Sequence, residues 1–194
     1  MDRANDRGGR WLRGMVRRIE INEDWDRAVD RLGAPAQVIH SRPQLRSLLR
    51  GEWLGHALHP LMTDFPLGTW MSASLLDIMG RGRFADASEH LLRFGVLIAV
   101  PTAVAGLAEL PEADREARRV AVVHATVNSS ALALYMASLA ARRRKQWPLG
   151  MALGIAGGIT ATIGGYFGGH LSFVRGVGVE RGSPAPNGDE APLA

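Results

Sequence analysis

Between residues 60 and 171, four long apolar runs alternate with short polar breaks, and this alternation limits the fold more than any other feature of the chain. The runs cover about residues 60–79, 91–108, 120–141 and 148–171. At about 1.5 Å per helical residue, roughly 20 residues cross the ~30 Å of hydrocarbon in a bilayer. Lipid offers no partner to an open backbone, so each run is expected to be a helix. None has the charged outer face by which a soluble bundle meets water. The expectation is an all-α polytopic membrane protein: a four-transmembrane-helix bundle preceded by an N-terminal amphipathic surface helix.

Averages conceal this partition. Charged residues make up 22% of the chain and mean hydropathy is −0.02, because Arg and acid gather in residues 1–55, the loops and the C-terminal end. The chain divides into three regions: a basic arm at 1–41, a membrane domain at 42–180, and a flexible tail at 181–194 rich in Pro, Gly and acid. In the arm, Trp11, Leu12, Met15, Val16 and Ile19 recur at near-helical spacing, consistent with either a helix or a partly disordered segment. Pro35 and Pro43 punctuate the stretch after residue 34. Residues 44–55 place Leu and Trp53 on one side and Arg on the other, as a helix lying on a membrane does. The pI near 10.5 raises nucleic acid as a partner. Here, however, Arg is interleaved with acid and adjoins apolar segments, so anionic lipid headgroups fit better and no nucleic acid is expected. The first 30 residues hold no continuous apolar stretch of the signal-peptide kind. With no cysteine, the chain itself supplies no disulfide, thiol nucleophile or iron–sulfur ligand.

Prolines and glycines add detail. Pro60 and Pro148 suit first-turn positions, whereas Pro66 and Pro101 lie inside runs and predict kinks. The fourth run holds eight glycines between Gly150 and Gly169, a composition that lets helices approach closely in lipid. Four crossings put both termini on one side. The 142-RRRK-145 loop, with Arg81 and Arg83, argues for cytoplasmic odd loops. The Arg-rich arm would then have to cross without a signal, and this outweighs the loop argument in favour of cytoplasmic termini.

Alternating helix direction brings most polar residues of the runs to the terminal face. His56 and His59 sit at the first helix entry and Asp64 one turn inside; Glu109 closes the second helix. His124 and Asn128 share a face near the start of the third, and Tyr166 and His170 share one at the end of the fourth. Only His90 falls on the opposite side. Ionisable groups in spans are expensive and usually paired or functional. Imidazoles and carboxylates at one depth suit a transition metal. Two histidines on facing helices suit a b-type haem, and a His–Asp–Glu chain suits a proton relay. The expected cofactor ligands are His59, His124 and His170. For a metal ion, Asp64 and Glu109 join them, with Asn128, Tyr166 and His56 supporting from behind. Ser72, Ser74, Ser129 and Ser130 lack the glycine elbow of a serine hydrolase, and no phosphate-binding loop follows the glycines.

Three stretches, 53-WLGHALHPLMTDFPLGTW-70, 124-HATVN-128 and 164-GGYFGGHLSFVRGVGV-179, resemble the bacterial membrane family catalogued as domain of unknown function 2231. Members usually open with G-H-P-L-H-P; Ala57 here replaces the first proline and leaves both histidines. The family's A-G-L-x-D ending of the second helix corresponds to 105-AGLAE-109. The resemblance implies a multi-pass protein of the bacterial inner membrane. Some members continue into a Rieske-type domain, which implies a redox setting in which any electron partner of this cysteine-free chain is a separate protein. The resulting expectation is a non-hydrolytic membrane protein, more a binder than an enzyme, with a one-sided His/carboxylate site for a metal or haem in redox or metal handling. Self-association as a homo-oligomer is also open. The alternative is a membrane scaffold or accessory subunit whose polar layer only locks helices together. Transport ranks last, since only Tyr135 and Thr160 offer polarity deeper in.

Overall fold

A computed structural model describes residues 3–80 and 82–179, with side chains from residue 8 onward. No strand occurs among them. The tail expected at 181–194 lies outside the described residues.

The arm forms two full helices, α1 (Arg3–Ile21) and α2 (Asp26–His40), and then a short α3 (Pro43–Arg50). Asn22 accepts from the Asp24 amide at 2.9 Å and turns the chain between the first two. Pro35 does not punctuate the arm; it lies inside α2. Pro43 opens α3, where a missing N–H costs nothing. Gly51 ends α3 at φ 75°, a left-handed cap in which a side chain would meet the backbone of His56. The surface helix expected over 44–55 therefore stops at Arg50, and a 3-10 turn at Glu52–Leu54 comes after it.

Four long helices come next: α4 (Leu58–Gly80), α5 (Ala85–Glu109), α6 (Arg115–Arg143) and α7 (Trp147–Gly169), the last running into a π-helical turn at His170–Val174. Three stretches, Ala85–Glu112, Arg115–Arg143 and Trp147–Val174, are long and apolar enough to cross a membrane. α4 matches α7 in length, but Asp64, Asp77 and several hydroxyls dilute its apolar character. Pro66 and Pro101 sit within unbroken helices. Pro66 leaves the Met62 carbonyl without its helical amide, and the Thr102 hydroxyl of α5 stands 3.4 Å from that oxygen.

α4 with α5 and α6 with α7 form two hairpins packed tightly along their lengths, while contacts from one hairpin to the other are far fewer. One apolar cluster, built from Trp70, Ala73, Leu92, Tyr135 and Leu139, joins the hairpins in mid-bundle. A second, with Val16, Ala117, Val120, Phe167 and Leu171, fastens α1 to the terminal end. Phe65, Leu75, Leu97, Val100, Ile159 and Ile163 are exposed on the outside, an apolar surface suited to lipid.

Candidate functional site

The inner faces of α4 and α6 meet diagonally in three layers. At the terminal end His59 faces His124, with ring centroids 6.3 Å apart and planes at 84°. In the middle Trp70 stacks on Tyr135 at 4.1 Å. At the far end Asp77 meets Arg142.

Both histidines are oriented by backbone. His59 Nδ1 lies 2.8 Å from the Thr102 carbonyl of α5, its hairpin partner, and His124 Nδ1 lies 3.0 Å from the Gly164 carbonyl of α7, its own partner. A carbonyl only accepts, so each Nδ1 carries the proton and each Nε2 carries the lone pair. Among the described residues neither Nε2 has a firm hydrogen-bond partner on the facing hairpin, and His124 Nε2 would stand 3.9 Å from a Cβ on Gly168 of its own hairpin. Near His124 Nε2 the structure places the Asn128 amide at 3.4 Å, but that amide already donates to the His124 carbonyl at 2.9 Å. Glycine makes the pockets: a Cβ on Gly106 would stand 2.9 Å from the His59 ring, and one on Gly168 would stand 2.9 Å from that of His124. The glycines of α7 thus serve packing, as expected, but they pack against polar and aromatic side chains. Gly164 accommodates Asn128, Gly157 the Tyr135 ring, and Gly150 the stem of Arg142.

The other expected ligands lie elsewhere. His170 turns its Nε2 to Glu20 of α1, at 3.0 Å, because the arm covers that corner of the bundle. Glu109 is buried against Arg50, whose guanidinium lies 3.5 Å away and also holds Glu112. Asp64 points outward among Leu61 and Phe65, about half a turn from the inward stripe of Pro66, Trp70 and Ala73, and bonds to nothing among the described residues. Arg119, near the start of α6, pairs with Asp26 of α2. Tyr166, His56 and His90 are exposed. The five-residue metal set is therefore split, and no three His, Cys, Asp or Glu residues among those described could hold one metal ion.

Two constellations escaped the sequence reading. Arg142, counted there as a loop charge, belongs to α6 with its side chain wholly buried. Its Nη1 donates to Asp77 at 3.1 Å and to Ser88 at 3.3 Å, its Nη2 bonds Asp77, and its Nε donates to Ser138 at 3.3 Å. Trp147 lies under the same guanidinium, 5.7 Å from its ring centre. In sequence Asp77 lies inside the first run, but Arg142 falls one residue beyond the third, where a cation reads as part of the loop. The second constellation holds down the arm. Burial alone would raise the Glu20 carboxyl, but bonds from His170 and Arg17 and the nearby Arg175 outweigh it and hold it below the usual range. Asp26 is lowered mainly by its bond from Arg119, and Asp114 mainly by the Ala117 amide it caps. Nothing in sequence spacing links Glu20 to His170, since they are 150 positions apart.

No curated protein and no solved structure matches the chain. A family model described as a predicted membrane protein, DUF2231, matches residues 55–181, from the entry of α4 to beyond the π-helical turn. That match spans more than half of the sequence and contains all three layers, and the chain belongs to this family of predicted membrane proteins.

Proposed function

We propose that the protein is a four-span membrane bundle whose His59 and His124 hold a b-type haem between the hairpins. The observation that carries this reading is the geometry of the histidine pair. Two imidazoles that ligate one metal from opposite sides, at about 2.1 Å to the metal and about 1.1 Å from nitrogen to ring centre, have centroids about 6.4 Å apart. The separation here is 6.3 Å. Protonated Nδ1 atoms bonded to carbonyls are the usual support behind a ligating histidine. Donor number then selects the group: a structural zinc ion takes four protein ligands and a catalytic one three, whereas haem iron draws four nitrogens from its own macrocycle and at most two from protein. Only two histidines converge here, one from each hairpin. A haem held this way supplies one-electron chemistry, and the one-sided position of the histidines favours exchange with a separate redox protein at the terminal face.

In this reading α4 is the fourth span. Asp77, the buried one of its two carboxylates, is neutralised by Arg142, and a paired charge within a bundle is tolerated in lipid. Arg142 no longer counts among the loop cations, which strengthens the assignment of cytoplasmic termini in a bacterial inner membrane. A second reading, the scaffold, has its own support: His170, Glu109, Asp77 and Arg142 are each bonded to protein.

The test is an absorption spectrum and pyridine haemochrome assay of protein purified in mild detergent. The native chain and His170→Ala are expected to show a Soret band, and His59→Ala and His124→Ala to lose it. A native protein that stays colourless after incubation with haem overturns the proposal in favour of the scaffold.

A further inference from the structure

We infer that the membrane bundle is one helical hairpin used twice, paired with itself about a two-fold axis, and that Asp77 opposite Arg142 is the contact that makes the two halves complementary. The spacing repeats. On α4, His59, Trp70, Ala73 and Asp77 stand at the same intervals as His124, Tyr135, Ser138 and Arg142 on α6. On the return helices, Ser88, Gly95, Thr102 and Gly106 stand at the same intervals as Gly150, Gly157, Gly164 and Gly168.

Contacts within each hairpin repeat at the same positions. His59 bonds the Thr102 carbonyl and rests on Gly106; His124 bonds the Gly164 carbonyl and rests on Gly168. Trp70 packs on Gly95 as Tyr135 packs on Gly157. Ser88 donates to the Ala73 carbonyl at 3.2 Å, and in the second hairpin Ser138 donates to the Gly150 carbonyl at 2.6 Å, the same two positions with donor and acceptor exchanged. Between the hairpins, every layer joins a residue to its own counterpart: His59 to His124, Trp70 to Tyr135, Asp77 to Arg142. That is the signature of a two-fold interface, in which a residue on the axis meets its equivalent.

An axis of this kind has a consequence for charge. In a pairing of two like hairpins, Asp77 would face Asp77 or Arg142 would face Arg142, each buried without a counter-ion. Only the unlike pairing gives the salt bridge. The upper layers, His/His and aromatic/aromatic, do not distinguish the halves, so discrimination falls on the third. A single buried polar contact that fixes partner choice has precedent in coiled coils. This inference stands whether or not haem binds.

The test uses full-length chains in mild detergent, read by size exclusion and thermal stability. Asp77→Arg and Arg142→Asp are each expected to lose the monodisperse native species, since like charges then meet on the axis. The exchanged chain, D77R/R142D, is expected to recover most of it; recovery is incomplete because the guanidinium then sits by Ala73 and Gly150 in place of Ser138 and Ser88. Co-expression of the two single variants under different tags is expected to yield a 1:1 heterodimer in which each supplies the charge the other lacks. The inference is overturned if either single variant behaves as native, or if neither the exchanged chain nor the mixture recovers folded protein.

Discussion

The two ends of the bundle join the same two hairpins by opposite means. At the far end every donor nitrogen of Arg142 is bonded, to Asp77, Ser88 or Ser138, and the charge is closed off from its surroundings. At the terminal end the hairpins meet through two imidazoles whose Nδ1 atoms are held and whose Nε2 atoms have no firm protein partner. A buried guanidinium tolerates no vacancy, because removing one member of such a pair leaves a bare charge in a low-dielectric interior. A neutral imidazole with one free lone pair carries a much smaller desolvation cost. The closed end can therefore hold the hairpins in register while the other end stays incomplete, which is the condition for a ligand to enter.

The largest effect should come from breaking the closed end. Arg142→Ala leaves Asp77 buried and alone and is expected to cost about 3–5 kcal/mol, read as denaturant-induced unfolding in micelles. An R142A protein as stable as the native chain would show that the far end is not the lock. A smaller effect should come from crowding the open end. Gly168→Val places new carbon atoms against His124, whose ring the Cβ already approaches at 2.9 Å, and overpacking of this kind costs about 1–3 kcal/mol. Haem uptake should fall while helix content by circular dichroism persists. Gly165→Ala, at a position with open space around it, is the control that should change neither.

The arm offers a third, pH-dependent contrast with the bundle it covers. Glu20, Asp26 and Asp114 all have carboxyls held below their usual range by bonds to Arg, His or a backbone amide. A carboxylate with a lowered folded-state value contributes stability that is complete above its unfolded value and disappears as pH falls through the folded one. The arm should therefore stay docked at neutral pH and detach in acid, below the ordinary carboxylate values of 3.8 and 4.5, while α5–α7 keep their helices. The chain has no cysteine, so spin labels at Arg13→Cys and Ala125→Cys would report the distance cleanly. Glu20→Gln should bring partial detachment at neutral pH, at roughly 1.5–3 kcal/mol for a lost charged hydrogen bond. An arm that stays docked in acid would assign its attachment to Val16 and the apolar cluster instead.

Legibility in the sequence depended on which interactions are local. The long helices were readable because apolar length and first-turn Pro148 act within a few residues, whereas the stop at Gly51 was missed. The histidine pair was readable as well, since helix direction and depth alone place His59 and His124 in one layer. Depth without azimuth misled for Asp64 and His170: each has the right height, but one points outward and the other towards α1. The Asp77–Arg142 pair was hidden because the run of cations from 142 to 145 reads as a loop, and only the three-dimensional partner shows that its first member belongs to the helix.

Asp64 gives the smallest expected effect and the sharpest test of that azimuth argument. Its carboxylate is exposed on the outer face of α4 and contacts no described group. Replacing it with Asn therefore removes no bond, and no loss of stability is expected. Ligation by Asp64 would predict the opposite, a clear loss of bound metal or a shifted spectrum in Asp64→Asn. With Asp64 on the outer face, an unfolding midpoint indistinguishable from native is expected and, on the proposed haem reading, an unchanged Soret band. A spectral change would mean that α4 turns in the membrane by about 100° per residue of register shift, bringing its outer stripe inward. That rotation would pull Trp70 off Tyr135 and Asp77 off Arg142 together, so an altered spectrum in D64N should be accompanied by the instability expected of R142A.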